Sequence, residues 1–498
     1  MSSEERGQRA ATGVKGLDDV LAGGFVRRRM YLLEGSPGTG KTTIALQFLI
    51  EGARLGERSL YITLSESEEE LRDGASSHGW TIPQGIEIFE LAPPESLLDA
   101  DQQQSVLYSS DLELGETTKR IFEAIERLRP SRVVLDSLSE IRLLAQGSLR
   151  YRRQILALKH FFSRHQTTVL LLDDMTSEPD DKTVHSLAHG VVQLEQLAPS
   201  YGAERRRLRV VKYRGTAYRG GHHDYTIAHG GVIAFPRLVA SEHRRSFSRD
   251  PVSSGIPGLD ELLGGGGEPG SATLLIGPSG AGKTLLTYGF VAAAIARGDK
   301  AAIFTFDEEI GLLKTRTREL GLDLDAMERS GTLLLQAVNA AELSPGEFAH
   351  RVQTAVEVMG ATTVVIDSLN GYQAAMPDEQ HLVLHMHEML QYLDRQGVST
   401  FITLAQHGIV GEMRSPVDVT YLSDTIILLR YFEAMGEIRR AISVIKKRAG
   451  PHERTIREFQ IGATGISVGA PLQQFHGVLR GVPTFHGDAE TLIGEAGA

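Results

Sequence analysis

A chain of 498 residues with 63 aspartates and glutamates against 52 lysines and arginines carries a formal charge of −11, the wrong sign for a protein whose task is to coat nucleic acid. It has no cysteine, which excludes disulfides and thiolate metal sites, and no apolar run long enough to span a bilayer. The opening MSSEERGQRA is too polar for a secretory signal, so the expected compartment is the cytoplasm, and the length accommodates two domains that each bury a core.

In chain order, the first strong signal is RRRMYLLEG, a short apolar run that predicts a strand ending at Gly35. It leads into GSPGTGKT, that is Gly35, Ser36, Pro37, Gly38, Thr39, Gly40, Lys41 and Thr42, and then, from Thr43, into the helical pattern TIALQFLIEGARLG. Strand, G-x-x-x-x-G-K-T and helix together make a phosphate-binding loop. The glycines let backbone N–H groups curl around phosphates, and the helix adds its positive N-terminal end. Lys41 reaches the outer phosphates, and the Thr42 hydroxyl is a magnesium ligand. The next run, SLYITLSESEEE, predicts a strand adjacent to the phosphate-loop strand, with Ser65 and Glu66 at its tip. There Glu66 is placed to align a nucleophile, while Glu68 to Glu70 also fit the positive end of a helix.

A polar insertion follows around Asp99 to Glu116, and SRVVLD then ends in Asp136, a carboxylate at a strand's C-terminal edge that can hold the magnesium shell. His185 with His189, and the pair His222 and His223, lack a third ligand at useful spacing and read as structural or surface histidines, and Trp80 reads as packing. RRRLRVVKYRG places Lys212 and Arg214 two apart on a strand, on one face, as fingers reaching a neighbouring subunit's nucleotide would be. The charged segment Ser241 to Ser254 is the expected join, giving an N-terminal domain at 1–245 and a C-terminal domain at 246–498.

The second half repeats the first. GSATLLIG ends at a second loop, GPSGAGKT, comprising Gly277, Pro278, Ser279, Gly280, Ala281, Gly282, Lys283 and Thr284, with Leu285 opening the helical pattern. Lys283 stands 242 residues after Lys41, and the same offset carries GLDDVLAGG onto GLDELLGGG and Glu66 onto Glu308, with Asp307 opposite Ser65. Beyond the insertion the offset shrinks, pairing VVLDSLSE with VVIDSLNG, which contains Asp367, and Lys212 and Arg214 with Lys446 and Arg448. So long a period marks duplicated domains. Thr284 and Asp367 are the second magnesium set, Asp307 and Glu308 the second carboxylates.

These motifs, together with LSDTIILLRYFEAMGEIRRAISVIKKRAGPHERTIREFQI from Leu422 to Ile461, resemble the KaiC family of RecA-type ATPases over nearly the whole chain. The resemblance implies tandem RecA-like P-loop NTPase domains, each an α/β unit with a mainly parallel twisted sheet flanked by helices. It implies a homohexamer with ATP and Mg2+ between subunits, slow hydrolysis in the N-terminal ring and autophosphorylation in the C-terminal ring. Glu66, with Ser65, takes the place of the N-terminal pair of catalytic glutamates, and Asp307 with Glu308 that of the C-terminal pair. The family's adjacent serine and threonine acceptors fall on Thr420 and Tyr421, with Ser423 as a further hydroxyl. The insertion lies where the family's KaiB-contacting loop does, a histidine kinase is another expected partner, and the short tail after Val482 argues against KaiA. The competing readings are a nucleotide-dependent hexameric scaffold without kinase activity and a RecA-type DNA-associated ATPase, the latter disfavoured by charge.

Overall fold

The structure is a computed structural model that describes residues 8–91, 106–175, 183–199, 202–375, 379–406, 420–434, 436–462, 465–480 and 484–485. The first part of the polar insertion, residues 99–105, and the tail after Val482 apart from two residues lie outside the described residues. The chain divides between Arg237 and Leu238 into two compact units.

The first unit is built on nine strands: β1 (Met30–Gly35), β2 (Ser59–Thr63), β3 (Ile86–Glu90), β4 (Arg132–Asp136), β5 (Thr168–Asp173), β6 (Gly190–Leu197), β7 (Arg205–Tyr213), β8 (His222–Ala228) and β9 (Gly231–Phe235). They lie in the order β9-β8-β7-β6-β1-β5-β4-β2-β3. From β6 through β3 all neighbours are parallel, which requires crossover segments, and β6 to β9 form an antiparallel meander.

The second unit repeats this arrangement strand for strand. Its strands are β10 (Ala272–Gly277), β11 (Ala301–Thr305), β12 (Leu333–Ala337), β13 (Thr363–Asp367), β14 (Ser399–Ala405), β15 (Thr425–Ala434), β16 (Glu437–Lys447), β17 (Arg457–Gly462) and β18 (Gly465–Pro471). Their order is β18-β17-β16-β15-β10-β14-β13-β11-β12, the first sheet's order with every label advanced by nine.

Both central strands are buried on both faces, as their unbroken apolar runs require, and alternate residues feed different cores. Tyr31 and Leu33 of β1 pack with Ile44 and Phe48 of the helix Lys41–Arg54. Met30 and Leu32 pack against the other layer, with Ile121 and Ile125 of Val106–Leu128 and Ile155 and Leu158 of Ser148–Arg164. In the second unit Leu275 faces the helix Lys283–Ala296, while Leu274 and Ile276 face Phe348 and Met389.

Strand order corrects one expectation. β2, which leads to Glu66, is separated from β1 by β5 and β4, so it is not the neighbour of the phosphate-loop strand; β11 and β10 are separated in the same way. Chain order alone does not reveal that the crossovers skip places: each phosphate-loop strand lies between the strand that ends at Asp173 or Ala405 and the strand that starts at Gly190 or Thr425.

Candidate functional site

Each glycine-rich loop joins the end of its central strand to a 14-residue helix through a left-handed glycine, Gly40 with φ 88° and Gly282 with φ 102°. A side chain there would be strained, and its Cβ would lie 2.6 Å from Ile227 Cδ1 or 2.7 Å from Ile461 Cδ1. The first intrahelical bonds run from Ile44 N to Gly40 O and from Leu286 N to Gly282 O, both 3.0 Å, so the N–H groups of Lys41 to Thr43 and Lys283 to Leu285 precede them without intrahelical acceptors. Ser36, Pro37, Gly38, Ser279 and Gly280 are exposed along the two loops, while Thr39, Pro278 and Ala281 are buried beneath them.

Both lysines curl over their loops. Lys41 Nζ donates to Gly35 O at 2.7 Å and Ser36 O at 3.0 Å; Lys283 Nζ donates to Gly277 O at 2.9 Å and Pro278 O at 2.7 Å. A buried ammonium above a ring of backbone dipoles, at a helix N-terminus with unused donors, fits a polyphosphate. Burial pushes the Lys283 ammonium down to about 8, against the pull of Asp367.

The carboxylates arrive from the same C-terminal edge of each sheet. Asp136 ends β4 and Asp367 ends β13, both buried, and burial pushes both above the ordinary aspartate range. Hydrogen bonds oppose that shift, from Tyr61 and Thr42 on Asp136 and from Thr403 and Thr284 on Asp367. Tyr61 OH lies 2.5 Å from Asp136 Oδ2. Threonine hydroxyl and aspartate are thus gathered as a magnesium shell needs, oxygen ligands only. Glu66 stands half-buried near them. Burial first, then the charges of Asp136, Glu70 and Asp174, raise its carboxyl above the usual glutamate range, with Lys41 opposing.

Three participants escape a motif search. Asp174, directly after β5, pairs with Lys41 at 2.8 Å, yet its strand's counterpart ends in Ala405 and Gln406, so the repeat gives no echo of it. Ser368 donates to Asp307, and Arg316 grips Glu308 through contacts of 2.8 and 2.9 Å. The residue 242 positions before Arg316 is Gly74, so the first unit has no such arginine. The apolar run LLLDD was a visible cue for Asp174; nothing in the sequence pairs Arg316 with Glu308.

The basic pairs lie at the opposite edge. Tyr213 pairs with Gly190, which aligns with Tyr31 at the start of β1, and Ile426, aligned with Leu274, pairs with Lys446. Each sheet has a bulge at its lysine: the register skips Val211 before Lys212 and Ile445 before Lys446. Bulges re-aim side chains, and here they recur at matched positions. Lys212 donates to His185 O and Arg214 to Ser186 O at 2.8 Å; Lys446 donates to Thr420 O at 3.0 Å and Ser423 O at 2.7 Å, and Arg448 to Tyr421 O at 2.6 Å. The structure therefore does not bring either basic pair to the phosphate loop of its own sheet. Thr420 is half-buried, Tyr421 is exposed and Ser423 is buried.

The histidines are engaged in packing. His185 Nε2 lies 2.6 Å from Glu34 Oε2, His189 Nδ1 accepts from Met30 N at 3.2 Å, and His223 Nδ1 accepts from Arg237 N at 2.8 Å. Trp80 packs against His78. Among the described residues no helix is long and apolar enough to cross a membrane.

Comparison with known proteins agrees with the repeat. The model of the KaiC ATPase family matches residues 10–239 and again 252–473. The circadian clock protein KaiC3 of Synechocystis sp. is 27% identical over 493 residues, covering 97% of this chain and 96% of the relative. The circadian clock oscillator protein KaiC of Acaryochloris marina is 28% identical, covering 95% and 91%, and that of Parasynechococcus marenigrum 29%, covering 97% and 94%. With a family match over both repeats, and two mainly parallel sheets each carrying a phosphate loop, the chain belongs to the KaiC family of ATPases, as tandem RecA-like P-loop units.

Proposed function

We propose that this protein is a cytoplasmic, hexameric regulatory ATPase that binds Mg2+ and ATP at both phosphate loops and phosphorylates itself in its C-terminal domain, in circadian-type timing or signal transduction. The observation that carries the reading is the repeated gathering, at one edge of each sheet, of a buried loop lysine, a threonine, a buried aspartate and a glutamate. Mg2+, when bound, would supply positive charge to offset that of the phosphates. In the first domain Lys41 Nζ and the loop N–H groups would hold the outer phosphates, and Thr42 and Asp136 would hold the metal; a Glu66 carboxylate oxygen accepts the proton of the water that attacks the γ-phosphorus, and the bond to ADP breaks. The raised proton affinity of Glu66 suits it to that role. In the second domain Lys283, Thr284 and Asp367 repeat the binding set. Asp307 or Glu308 accepts the hydroxyl proton as Thr420, or else Tyr421, of an adjacent subunit takes the γ-phosphoryl group and ADP leaves.

The Lys212/Arg214 and Lys446/Arg448 pairs serve the nucleotide of an adjacent subunit, because they sit at the far edge of the sheet from their own loop. The strand between is six residues long, roughly 20 Å. Incubation with γ-labelled ATP, following free phosphate and protein-bound label with mapping by mass spectrometry, tests the reading. Label on Thr420 or Tyr421 is expected; phosphate release without any label would leave an ATPase and remove the autokinase.

A further inference from the structure

The two loop lysines are satisfied differently. An ammonium has three donors, and those of Lys41 meet three acceptors: Gly35 O at 2.7 Å, Ser36 O at 3.0 Å and the Asp174 carboxylate at 2.8 Å. Lys283 has the two corresponding carbonyls, Gly277 O and Pro278 O, and among the described residues no carboxylate lies within ion-pair distance of it. Sheet register gives the reason. Glu34 pairs with Asp173 and its counterpart Ile276 with Leu404, so Asp174 corresponds to Ala405, which has no charge to offer.

The turn that carries Asp174 is held from both sides. Asp173 accepts from Arg142 Nη2 at 2.6 Å and from Met175 N at 3.1 Å, and Met175 takes the turn in a left-handed backbone, φ 54°, which a methionine adopts only at a cost. The second unit is built otherwise. There Leu404 replaces Asp173, and Asn370 clamps the backbone of Ala405, donating to its O at 3.1 Å and accepting from its N at 2.8 Å. Asp174 also stands at the outer-phosphate end of its loop. A loop lysine reaches the β- and γ-phosphates, and the Asp174 charge acts on Asp136 and Glu66, the carboxylates set there for metal and water.

We propose that Asp174 is a specificity-determining residue of the first nucleotide site: its carboxylate stands in for the γ-phosphate on Lys41, so this site favours ADP over ATP more than the second site does. The inference rests on the reading of the first loop as a nucleotide site. With ADP bound, the carboxylate keeps the third donor of Lys41. A γ-phosphate takes that donor, and the two anions repel until Asp174 turns away. After hydrolysis the carboxylate reclaims the lysine, which opposes rebinding of the released phosphate.

The probes are ADP and the β,γ-imido analogue of ATP, each with Mg2+, titrated calorimetrically at one chain concentration into the full chain carrying Lys283→Ala, so that only the first loop binds. Asp174→Asn keeps the shape and removes the charge; Asp174→Ala installs the residue of the other repeat. Both are expected to tighten the triphosphate about tenfold while ADP changes by less than about twofold. A Lys41→Ala chain, read the same way, should show the triphosphate preference of the Asp174 variants. A merely structural role would weaken both nucleotides together. That result, or a ratio of the two affinities that the Asp174 substitutions leave unaltered, overturns the proposal. No binding of either nucleotide to the Lys283→Ala chain overturns the loop reading itself and this inference with it, a different result from an unaltered ratio. Unchanged thermal melting shows that the variants fold.

Discussion

Arg316 holds Glu308 by two guanidinium contacts, 2.8 and 2.9 Å, whereas Glu66 in the sister unit has Gly74 at the matching distance along the chain. Among the described residues the glutamate of the second unit is therefore tethered by an arginine and that of the first is not. A half-exposed pair of this kind contributes about 0.5–1 kcal/mol. Arg316→Ala in a Lys41→Ala background should then speed phosphate release from the second unit by roughly two- to fivefold. A coupled phosphate assay decides; an unchanged or lower rate would show that Arg316 supports Glu308.

Lys283 gives the second site a pH dependence with a definite sign. Its folded pKa is pushed down to about 8 from an ordinary 10.5, so between those values the unfolded chain binds more protons and stability rises with pH. Nucleotide affinity runs the other way, because phosphate needs the charged ammonium. In a Lys41→Ala chain it should fall above pH 8 by up to about tenfold per pH unit. Fluorescent-nucleotide titration measures this, and Lys283→Arg, which stays charged, should flatten the profile.

The sequence is most legible where placement is local: Lys41, Thr42 and their repeats lie on one contiguous strand–loop–helix segment, and Asp136 and Asp367 end apolar runs that form strands. It does not place Asp174, whose meeting with Lys41 depends on β5 lying beside β1, or Tyr61, which reaches Asp136 across neighbouring strands. Such pairs follow from sheet order, which a single sequence leaves open. The repeat gives no second signal for Asp174, because the second half carries no acid there.

Arg132 is fully buried, with Nε 2.6 Å from Glu57 and one terminal nitrogen bonded to Ala11 O and Phe48 O. Burial alone would raise the Glu57 carboxyl, but hydrogen bonds from Arg27 and Arg132 bring it below the ordinary range. Its contribution to stability is thus present above the usual glutamate pKa and is lost as pH falls through the lowered value. Glu57→Gln leaves a buried guanidinium short of its counter-charge and should destabilise the first unit by about 3 kcal/mol. Chemical denaturation at neutral pH measures the loss, which should shrink on acidification.

Thr420 lies near the start of β15, at the edge remote from Lys283, so phosphoryl transfer to it should occur between copies. Mixing a Lys283→Ala chain with a Thr420→Ala chain should place label on the former, distinguished by mass. Label confined to chains with an intact Lys283 would contradict this.

Each sheet ends in a phosphate loop on one edge and a bulge-aimed Lys/Arg pair on the other. A two-fold interface would meet both contacts only if loop and basic pair of each copy shared one patch; where, as in the proposed assembly, the two edges meet different neighbours, the contact is head-to-tail. Every such contact leaves one loop and one basic pair unmet at the ends of the growing row. The row then has a direction, and it completes its last site only by closing on itself, or else it continues as a filament.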